Sequence, residues 1–238
     1  MPDRTVDGAV CRATAAEEQG WIAAVLREPV AKPAVRVWLY ERPAVVLGRS
    51  RPLTADLAER AANARADLSV RPSGGGAVLA GPWLLGASVV LPPGGRLVTA
   101  SIPQSFRWLG LAHVAWLAGI GIAARGVPES VGPRDDPLRW SCFASLSHWE
   151  VEVGERKIVG LAQARRRNGI LYSSGALIAS PPWQVLCDVL GQPSEHGRAL
   201  AERTVSCAEL LGRVPEVGHA ANSLLQELSA VVTAQESG

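Results

Sequence analysis

The stretch from residue 140 to residue 175 constrains the fold most, because it predicts three consecutive strands joined by two tight turns. Gly154-Glu155 suits a two-residue type II′ turn, in which the glycine supplies the positive φ. Asn168-Gly169 is the strongest short-range signal for a hairpin. The chain is therefore expected to build a sheet around this meander.

The middle strand of the meander carries a lysine among apolar residues. In extended chain, side chains alternate between two faces, so Lys157 is expected to share a face with Val159, Leu161 and Gln163. An ammonium group at the head of a largely apolar row indicates that something anionic meets it. A loop with Cys142 precedes the meander, so a thiol, a lysine and a glycine-adjoined strand form a candidate site.

The three glycines at positions 74–76 lie between two predicted strands. Successive glycines forfeit backbone entropy, so the fold must require something there that a Cβ would block. One interpretation is a loop whose N–H groups closely approach a ligand. The other is a tight turn between strands, which the glycines alone favour. The run matches neither a dinucleotide-binding fingerprint nor a Walker loop.

The other segments mix helical and strand patterns. Helices are predicted over 14–27, 54–67 and 105–118, and strands over 35–40, 44–48, 83–91 and 120–127. Because strands and helices do not alternate strictly, we predict an α+β fold with a central mixed or antiparallel sheet and flanking helices. A single domain is expected over residues 1–238, with 182–238 a helical C-terminal part and no separate accessory domain.

Composition narrows the function classes. Hydrophobic residues make up 47% and charged residues 19% of the chain, as in globular proteins. The net charge of +2 gives no indication of a nucleic acid or membrane partner. The four cysteines are scattered without a CxxC pair, so we expect no metal site and a cytoplasmic location. The N-terminus lacks the pattern of a signal peptide, and no apolar run reaches the ~18 residues of a membrane span.

Three motifs resemble those of the lipoate–protein ligase and octanoyltransferase family, which shares its catalytic fold with biotin–protein ligases. They are VLGRS at 46–50, RPSGGGAV at 71–78 and KIVGLAQ at 157–163. Their order and spacing agree with the family over roughly residues 15–215. The resemblance implies one catalytic domain of the biotin/lipoate ligase type.

The resemblance also implies a reaction. Family members place an octanoyl or lipoyl group on a lysine of a lipoyl domain, such as those of 2-oxoacid dehydrogenase E2 chains or the glycine-cleavage H protein. The acyl tail lies in an apolar tunnel, and the Gly-rich loop closes over its carboxyl end. Carried over by motif, the implied substrate-binding residues are Arg71, Ser73, Gly74, Gly75, Gly76, Ala77, Val78, Gly160, Ala162 and Gly175. Lys157 matches a lysine whose ammonium would stabilise charge on the acyl carbonyl oxygen.

Two routes of activation stay open. Cysteine-type octanoyltransferases take octanoyl from acyl carrier protein as a thioester on a loop cysteine, which Cys142 matches; this favoured route requires no cofactor. Lipoate ligases instead spend ATP with Mg²⁺ to form an acyl-adenylate. The family histidines after the Gly-rich loop and on the third strand of the meander are absent here. This departure weakens the adenylate route, and a non-catalytic lipoyl-domain or acyl-chain binder is a further alternative.

Other reactive side chains have simpler explanations. The arginines at 165–167 are typical of a solvated strand end, although in this family they would suit the acidic face of a lipoyl domain. His113, Cys187 and Cys207 fall in predicted helices and are expected to pack. A small buried hydrophobic residue is likewise the alternative role for Cys142.

Overall fold

The computed structural model describes residues 6–99, 101–131 and 135–236, which form a seven-stranded sheet beside a three-stranded one. The strands are β1 (Asp7–Ala13), β2 (Ala34–Tyr40), β3 (Ala44–Leu47), β4 (Asp67–Val70), β5 (Val78–Ala80), β6 (Leu84–Leu91), β7 (Arg125–Gly126), β8 (Val151–Val153), β9 (Arg156–Arg165) and β10 (Ile170–Leu177). The helices are α1 (Ala15–Val25), α2 (Ala55–Asn63), α3 (Ile102–Ser105), α4 (Arg107–Gly119), α5 (Trp183–Leu190), α6 (Ser194–Arg203), α7 (Cys207–Leu211) and α8 (Val217–Glu236).

The strand order confirms the predicted mixed sheet with flanking helices. The large sheet runs β1-β2-β6-β10-β9-β8-β7 and the small sheet β4-β3-β5. The β1–β2 and β3–β4 pairs are parallel, and the other pairs are antiparallel.

The large sheet is covered on both faces, so its central strands are continuous apolar runs. All eight residues of β6 are buried. Alternate residues enter two different cores. The first core, with Val35 and Leu85, includes residues of α4 and α8. The second core, with Trp38 and Leu84, includes the small sheet and α5.

The first two helices begin as predicted, at the caps Thr14 and Thr54. The helix predicted over 105–118 begins instead at Arg107, after the short α3, and one strand is shorter than predicted. Thr14 accepts a hydrogen bond from the Glu17 N–H, and the Glu17 carboxylate accepts one from the Thr14 N–H, which completes a capping box. The Thr54 side chain caps α2 by accepting a hydrogen bond from the Leu57 N–H, without a reciprocal bond. The strand predicted over 120–127 shrinks to Arg125–Gly126, because the chain just after α4 still donates its N–H groups to the last helical carbonyls.

The turn between β8 and β9 differs from its predicted type. Gly154 and Glu155 have φ values of +58° and +66°, and two positive values are the pattern of a type I′ turn. The type II′ prediction was wrong because it gave positive φ to the glycine alone. The twist of a two-residue hairpin suits both turn types, and here Glu155 adopts the left-handed conformation that type I′ requires.

The turn between β9 and β10 is the predicted hairpin, in a longer form. The ladder leaves residues 166–169 between the strands, so the connection is not a two-residue turn at Asn168-Gly169. The Asn168 side-chain amide donates to the carbonyls of Leu26 and Arg27, at 3.2 and 2.7 Å. Asn168 therefore fastens the turn to the end of α1.

The pairing of β8 with β9 contains a β-bulge. Val151 pairs with Val159 and Glu152 pairs with Lys157, so one step along β8 spans two along β9. The extra residue is Ile158. A bulge of this kind breaks the alternation of side chains and re-aims those on one side of it.

The bulge overturns the predicted face of Lys157. Val159 and Leu161 belong to the first core, and Gln163 contacts α3 on that same side. Lys157 instead lies on the opposite face, where a Cβ built on Gly160 would be 3.3 Å from Lys157 Cε. The predicted common row was wrong because strict alternation cannot foresee an inserted residue.

The side chains expected to pack are in the core. His113 is fully buried with Nδ1 2.9 Å from the Leu109 carbonyl oxygen, and burial lowers its pKa to about 4. Burial raises the pKa of Cys187 to about 11 and that of Cys207 to about 12. Because the thiolate is the reactive form, these two thiols are inert. Among the described residues, no helix has the length and apolarity that a bilayer crossing needs.

The first prediction concerns the strained turn. Glu155 is exposed and in the left-handed region, which costs a side-chain-bearing residue about 1–2 kcal/mol. We expect Glu155→Gly to raise the free energy of unfolding by about 0.5–1 kcal/mol, because glycine also loses more entropy on folding. Denaturant unfolding measures this change. Glu155→Ala is the control, since it removes the carboxylate but keeps the strain. An equal gain in both variants would implicate the carboxylate instead of the backbone.

Candidate functional site

A cavity opens on the second-core face of the large sheet, between β9, β10, α1 and the small sheet. Six predicted site residues line it: Arg71, Val78, Cys142, Gly160, Ala162 and Gly175. Its volume is about 70 Å³, whereas a cavity of about 150 Å³ holds benzene. An elongated apolar ligand is larger than this space, so it would displace wall side chains or extend through the opening.

Three glycines lie side by side across the sheet, and two of them, Gly160 and Gly175, line the cavity. Gly160 pairs with Gly175, and Gly175 pairs with Gly86 on the next strand. A Cβ on Gly86 would lie 2.4 Å from Tyr40 Oη, and one on Gly175 would lie 3.1 Å from Leu84. Tyr40 therefore packs in the space that a side chain at Gly86 would fill, whereas Gly160 and Gly175 form the floor of the cavity. Sequence reasoning identified Gly160 and Gly175 but missed Gly86, whose role depends on strand pairing.

Part of the cavity wall is polar. Tyr40 Oη donates to Glu18 Oε2 at 2.7 Å, and Ser88 Oγ donates to Glu18 Oε1 at 3.2 Å. Burial raises the pKa of Glu18, and burial also raises the pKa of Tyr40 well above its usual value. Glu18 was missed because an acid in a first helical turn suits the helix dipole. Its spacing of four from the buried Ile22 is the signal that it faces inward.

The Gly-rich loop, residues 71–77, joins β4 to β5. These strands lie on either side of β3, so the loop is not a tight turn between paired strands. Arg71 is buried, and its guanidinium donates to Ser73 Oγ at 2.9 Å and to the carbonyls of Gly74 and Gly76 at 2.8 and 2.7 Å. Arg71 therefore sets the shape of the loop through its own backbone.

Two of the three glycines are required by conformation or space. Gly75 has a φ of +93°, which favours glycine. A Cβ on Gly48 would lie 2.3 Å from the carbonyl oxygen of Gly75. A Cβ on Gly76 would lie 2.6 Å from the Ser141 carbonyl carbon. Around Gly74, in contrast, a Cβ would meet no atom within 4 Å.

The space at Gly76 is needed because the Gly-rich loop and the Cys142 loop join directly. The Ala77 N–H donates to the Trp140 carbonyl at 2.7 Å, and the Cys142 N–H donates to the Ala77 carbonyl at 2.9 Å. The Cys142 side chain is partly exposed and lines the cavity next to Phe143. A thiol thus lies on the wall of an apolar cavity, with a glycine loop beside it.

Lys157 lies behind the Cys142 loop and is 2% exposed. Its Nζ donates to the Cys142 carbonyl at 2.7 Å, the Ser145 carbonyl at 3.0 Å and Glu150 Oε2 at 2.5 Å. These bonds use all three N–H groups of the ammonium. The lysine therefore holds the Cys142 loop in place here. Its predicted contact with a substrate carbonyl stays a prediction, and it requires one of these bonds to be exchanged.

Glu150 is another site residue that sequence reasoning missed. It is 2% exposed, and both carboxylate oxygens are bound. Oε2 accepts from Lys157 and from the Ser147 N–H at 2.7 Å, and Oε1 accepts from the Leu161 N–H at 3.0 Å. The apolar setting of Lys157 had indicated an anionic partner. That partner is a carboxylate of the same meander, seven residues earlier in the chain.

Comparison with known proteins identifies related sequences. Residues 13–229 match the family described as the lipoyl protein ligase A/B catalytic domain. The chain is 30% identical over 198 residues to the octanoyltransferase LipM of Moorella thermoacetica, covering 81% of this chain and 72% of that relative.

Two solved structures share the fold. A lipoate-protein ligase A bound with ATP has a TM-score of 0.70 and 21% identity, over 97% of this chain and 85% of that one. A bipartite lipoate protein ligase of Thermoplasma acidophilum, studied with its E2 lipoyl domain, has a TM-score of 0.68 and 19% identity, over 95% and 84% of the two chains. At these identities the likeness shows the fold alone.

The second prediction tests the junction of the two loops. Gly76→Ala is expected to lower the free energy of unfolding by about 1–3 kcal/mol, since its Cβ would overpack against backbone. Gly74→Ala is the matched control and is expected to change it by less than about 0.5 kcal/mol. Denaturant unfolding of both variants gives the comparison. Equal losses in the two variants would contradict the steric account.

The third prediction tests the buried ion pair. Glu150→Gln leaves the Lys157 ammonium without a counter-charge, and breaking such a pair from one side costs about 3–5 kcal/mol. The double variant Glu150→Gln with Lys157→Met removes both charges, so its loss of stability is expected to be smaller than the sum of the two single losses. A double-mutant cycle of unfolding free energies measures the difference. Strict additivity would show that the pair is not coupled.

Proposed function

The chain belongs to the lipoyl protein ligase A/B catalytic-domain family, and we propose that it is an octanoyltransferase acting on lipoyl domains. The 30% sequence identity to an octanoyltransferase supports this reaction. The single structural observation that carries the proposal is the position of Cys142, whose thiol lines an apolar cavity beside the Gly-rich loop. We propose the acceptor to be the lysine of a lipoyl domain, in a 2-oxoacid dehydrogenase E2 chain or a glycine-cleavage H protein.

The first half-reaction loads the enzyme. Octanoyl–acyl carrier protein presents its thioester carbon to the Cys142 sulfur, a new carbon–sulfur bond forms, and the bond to the donor sulfur breaks. The carrier leaves as a free thiol with the proton that the Cys142 thiol gives up. Exchange of one thioester for another is close to isoenergetic, so a thiol suits this step.

The second half-reaction transfers the octanoyl group to nitrogen. The neutral amine of the acceptor lysine attacks the Cys142 thioester, an amide bond forms, and the carbon–sulfur bond breaks. The proton lost by the amine restores the Cys142 thiol. An amide is more stable than a thioester, so this step makes the overall transfer favourable.

We propose that the residues around Cys142 divide the remaining tasks. The glycine floor at Gly160 and Gly175 makes room for the acyl chain, and Arg71 shapes the loop beside the reacting carbon. Lys157 positions the Cys142 loop through its carbonyl. If that bond is exchanged for one to the substrate carbonyl oxygen, the same ammonium stabilises the charge that develops there.

Two alternatives remain as outcomes of the test. An ATP-dependent lipoate ligase would use ATP and Mg²⁺ to form lipoyl-AMP and would need no thiol; its fold is the one shared with the ATP-bound ligase structure. A non-catalytic binder of lipoyl domains or acyl chains would form no adduct. The transferase route requires no cofactor.

The fourth prediction distinguishes these possibilities. The purified protein is expected to gain one octanoyl group from octanoyl–acyl carrier protein without ATP, and hydroxylamine should release it, as it does other thioesters. Intact mass spectrometry measures both changes. Cys142→Ala should gain nothing, because the nucleophile is absent. Cys11→Ala is the matched control, since Cys11 is the other partly exposed thiol, and it should load normally.

The opposite result would identify a ligase. In that case Cys142→Ala would modify a lipoyl domain at the wild-type rate with free lipoate, ATP and Mg²⁺. If the protein forms no adduct and also shows no ATP-dependent reaction, the result would indicate a non-catalytic binder of lipoyl domains or acyl chains.

A further inference from the structure

A basic groove adjoins the Gly-rich loop. It has a volume of about 710 Å³ and is bordered by α1, by the start of the Gly-rich loop and by the turn between β9 and β10. Arginine is its recurrent side chain: Arg49, Arg71, Arg166 and Arg167 all line it. Within the described part of the chain, no aspartate or glutamate lines this groove.

Three of these guanidinium groups form no ion pair with a carboxylate of the described residues. Arg71 is buried and bonded to the loop, but Arg49, Arg166 and Arg167 are exposed. Among residues 6–99, 101–131 and 135–236, no ion pair involves these three side chains. Uncompensated arginines around a concave surface are suited to a phosphate, because the planar guanidinium matches its oxygens.

Two hydrogen bonds to backbone carbonyls of the Gly-rich loop hold the sides of this groove. The Arg49 N–H donates to the Ser73 carbonyl at 3.0 Å, and the Arg166 guanidinium donates to the Pro72 carbonyl at 3.0 Å. The arginine-bearing segments are therefore held at the start of the loop whose other end meets the Cys142 loop.

The distance from the groove to the thiol loop can be bounded. A Cβ on Gly76 would lie 2.8 Å from the Cys142 nitrogen. From Gly76 back to Pro72 there are four Cα steps, at most about 15 Å. The 4′-phosphopantetheine arm has about thirteen bonds between its sulfur and its phosphorus, and it spans roughly 15 Å when extended, by analogy with peptide dimensions. Arg71 also lines both the groove and the cavity that Cys142 lines, so the two spaces adjoin and an arm of this length can pass from one to the other.

We infer that this groove binds the phosphate of the phosphopantetheine arm that delivers the octanoyl thioester. The inference rests on the proposed function, because the arm enters the site only if an acyl thioester is the donor. Arg166 and Arg167 contact the phosphate from the turn, and Arg49 faces it from the segment after β3. The groove is concave, and a slender anionic arm fills it better than the broad acidic face of a folded lipoyl domain.

The fifth prediction is tested first by binding alone. Calorimetry compares 4′-phosphopantetheine with pantetheine, which lacks only the phosphate. The wild-type protein is expected to bind the phosphorylated compound about tenfold more tightly, from charge-assisted hydrogen bonds to arginine. The double variant Arg166→Gln with Arg167→Gln should bind both compounds equally. Arg213→Gln removes an exposed arginine outside the groove and should behave as wild type.

Equal affinity of the wild-type protein for the two compounds overturns the inference. So does a phosphate preference that survives in the double variant. Because neither measurement depends on Cys142, the groove is tested even if the thioester mechanism fails.

The two half-reactions then separate donor from acceptor. Loading of Cys142 from octanoyl-phosphopantetheine should be about tenfold slower in the double variant, for the same loss of charge-assisted bonds. Loading from octanoyl-pantetheine, and transfer from the loaded enzyme to a lipoyl domain, should keep wild-type rates. A double variant that loads normally but transfers slowly would assign the groove to the acidic acceptor and overturn the inference. If neither octanoyl-phosphopantetheine nor octanoyl-pantetheine gives an adduct with the wild-type protein, that result would instead count against the proposed function.

Discussion

The buried ion pair between Lys157 and Glu150 decides where the loop with the thiol lies. Moving an ion out of water costs several kcal/mol, so a buried pair survives only when its remaining hydrogen-bonding capacity is filled. Here the ammonium has three acceptors and both carboxylate oxygens are bound. Two of those acceptors are carbonyls of the Cys142 loop. The position of the Cys142 loop is therefore coupled to a buried ion pair.

The ion pair in turn depends on the bulge at Ile158. Without the extra residue, alternation would direct Lys157 into the first core with Val159 and Leu161. That core consists of apolar side chains from the sheet, α4 and α8, and it offers an ammonium no comparable set of acceptors. Bulges commonly re-aim a side chain next to a functional site, and this one moves Lys157 to the face that holds the cavity.

The limits of sequence reasoning follow from the same features. Local patterns were enough to predict the meander, the Gly-rich loop and the starts of the first two helices, since each depends on neighbours in the chain. The face of Lys157 was not predictable, because the bulge is a property of how β8 pairs with β9. Gly86 was missed for the same reason, because its partner Gly175 comes from β10. Glu18 was missed because its buried partners, Tyr40 and Ser88, come from other strands.

A thiol alone does not make a site, and the four cysteines of this chain show what must be added. Cys187 and Cys207 are buried, and burial raises the pKa of both thiols, so they stay protonated. Cys11 is partly exposed on the edge strand β1, but the cavity does not reach it. Cys142 alone combines partial exposure with an apolar cavity on one side. A carbonyl carbon bound beside Cys142 would be at the boundary between the protein interior and its surface, as the proposed transfer from a donor thioester to a lysine amine requires.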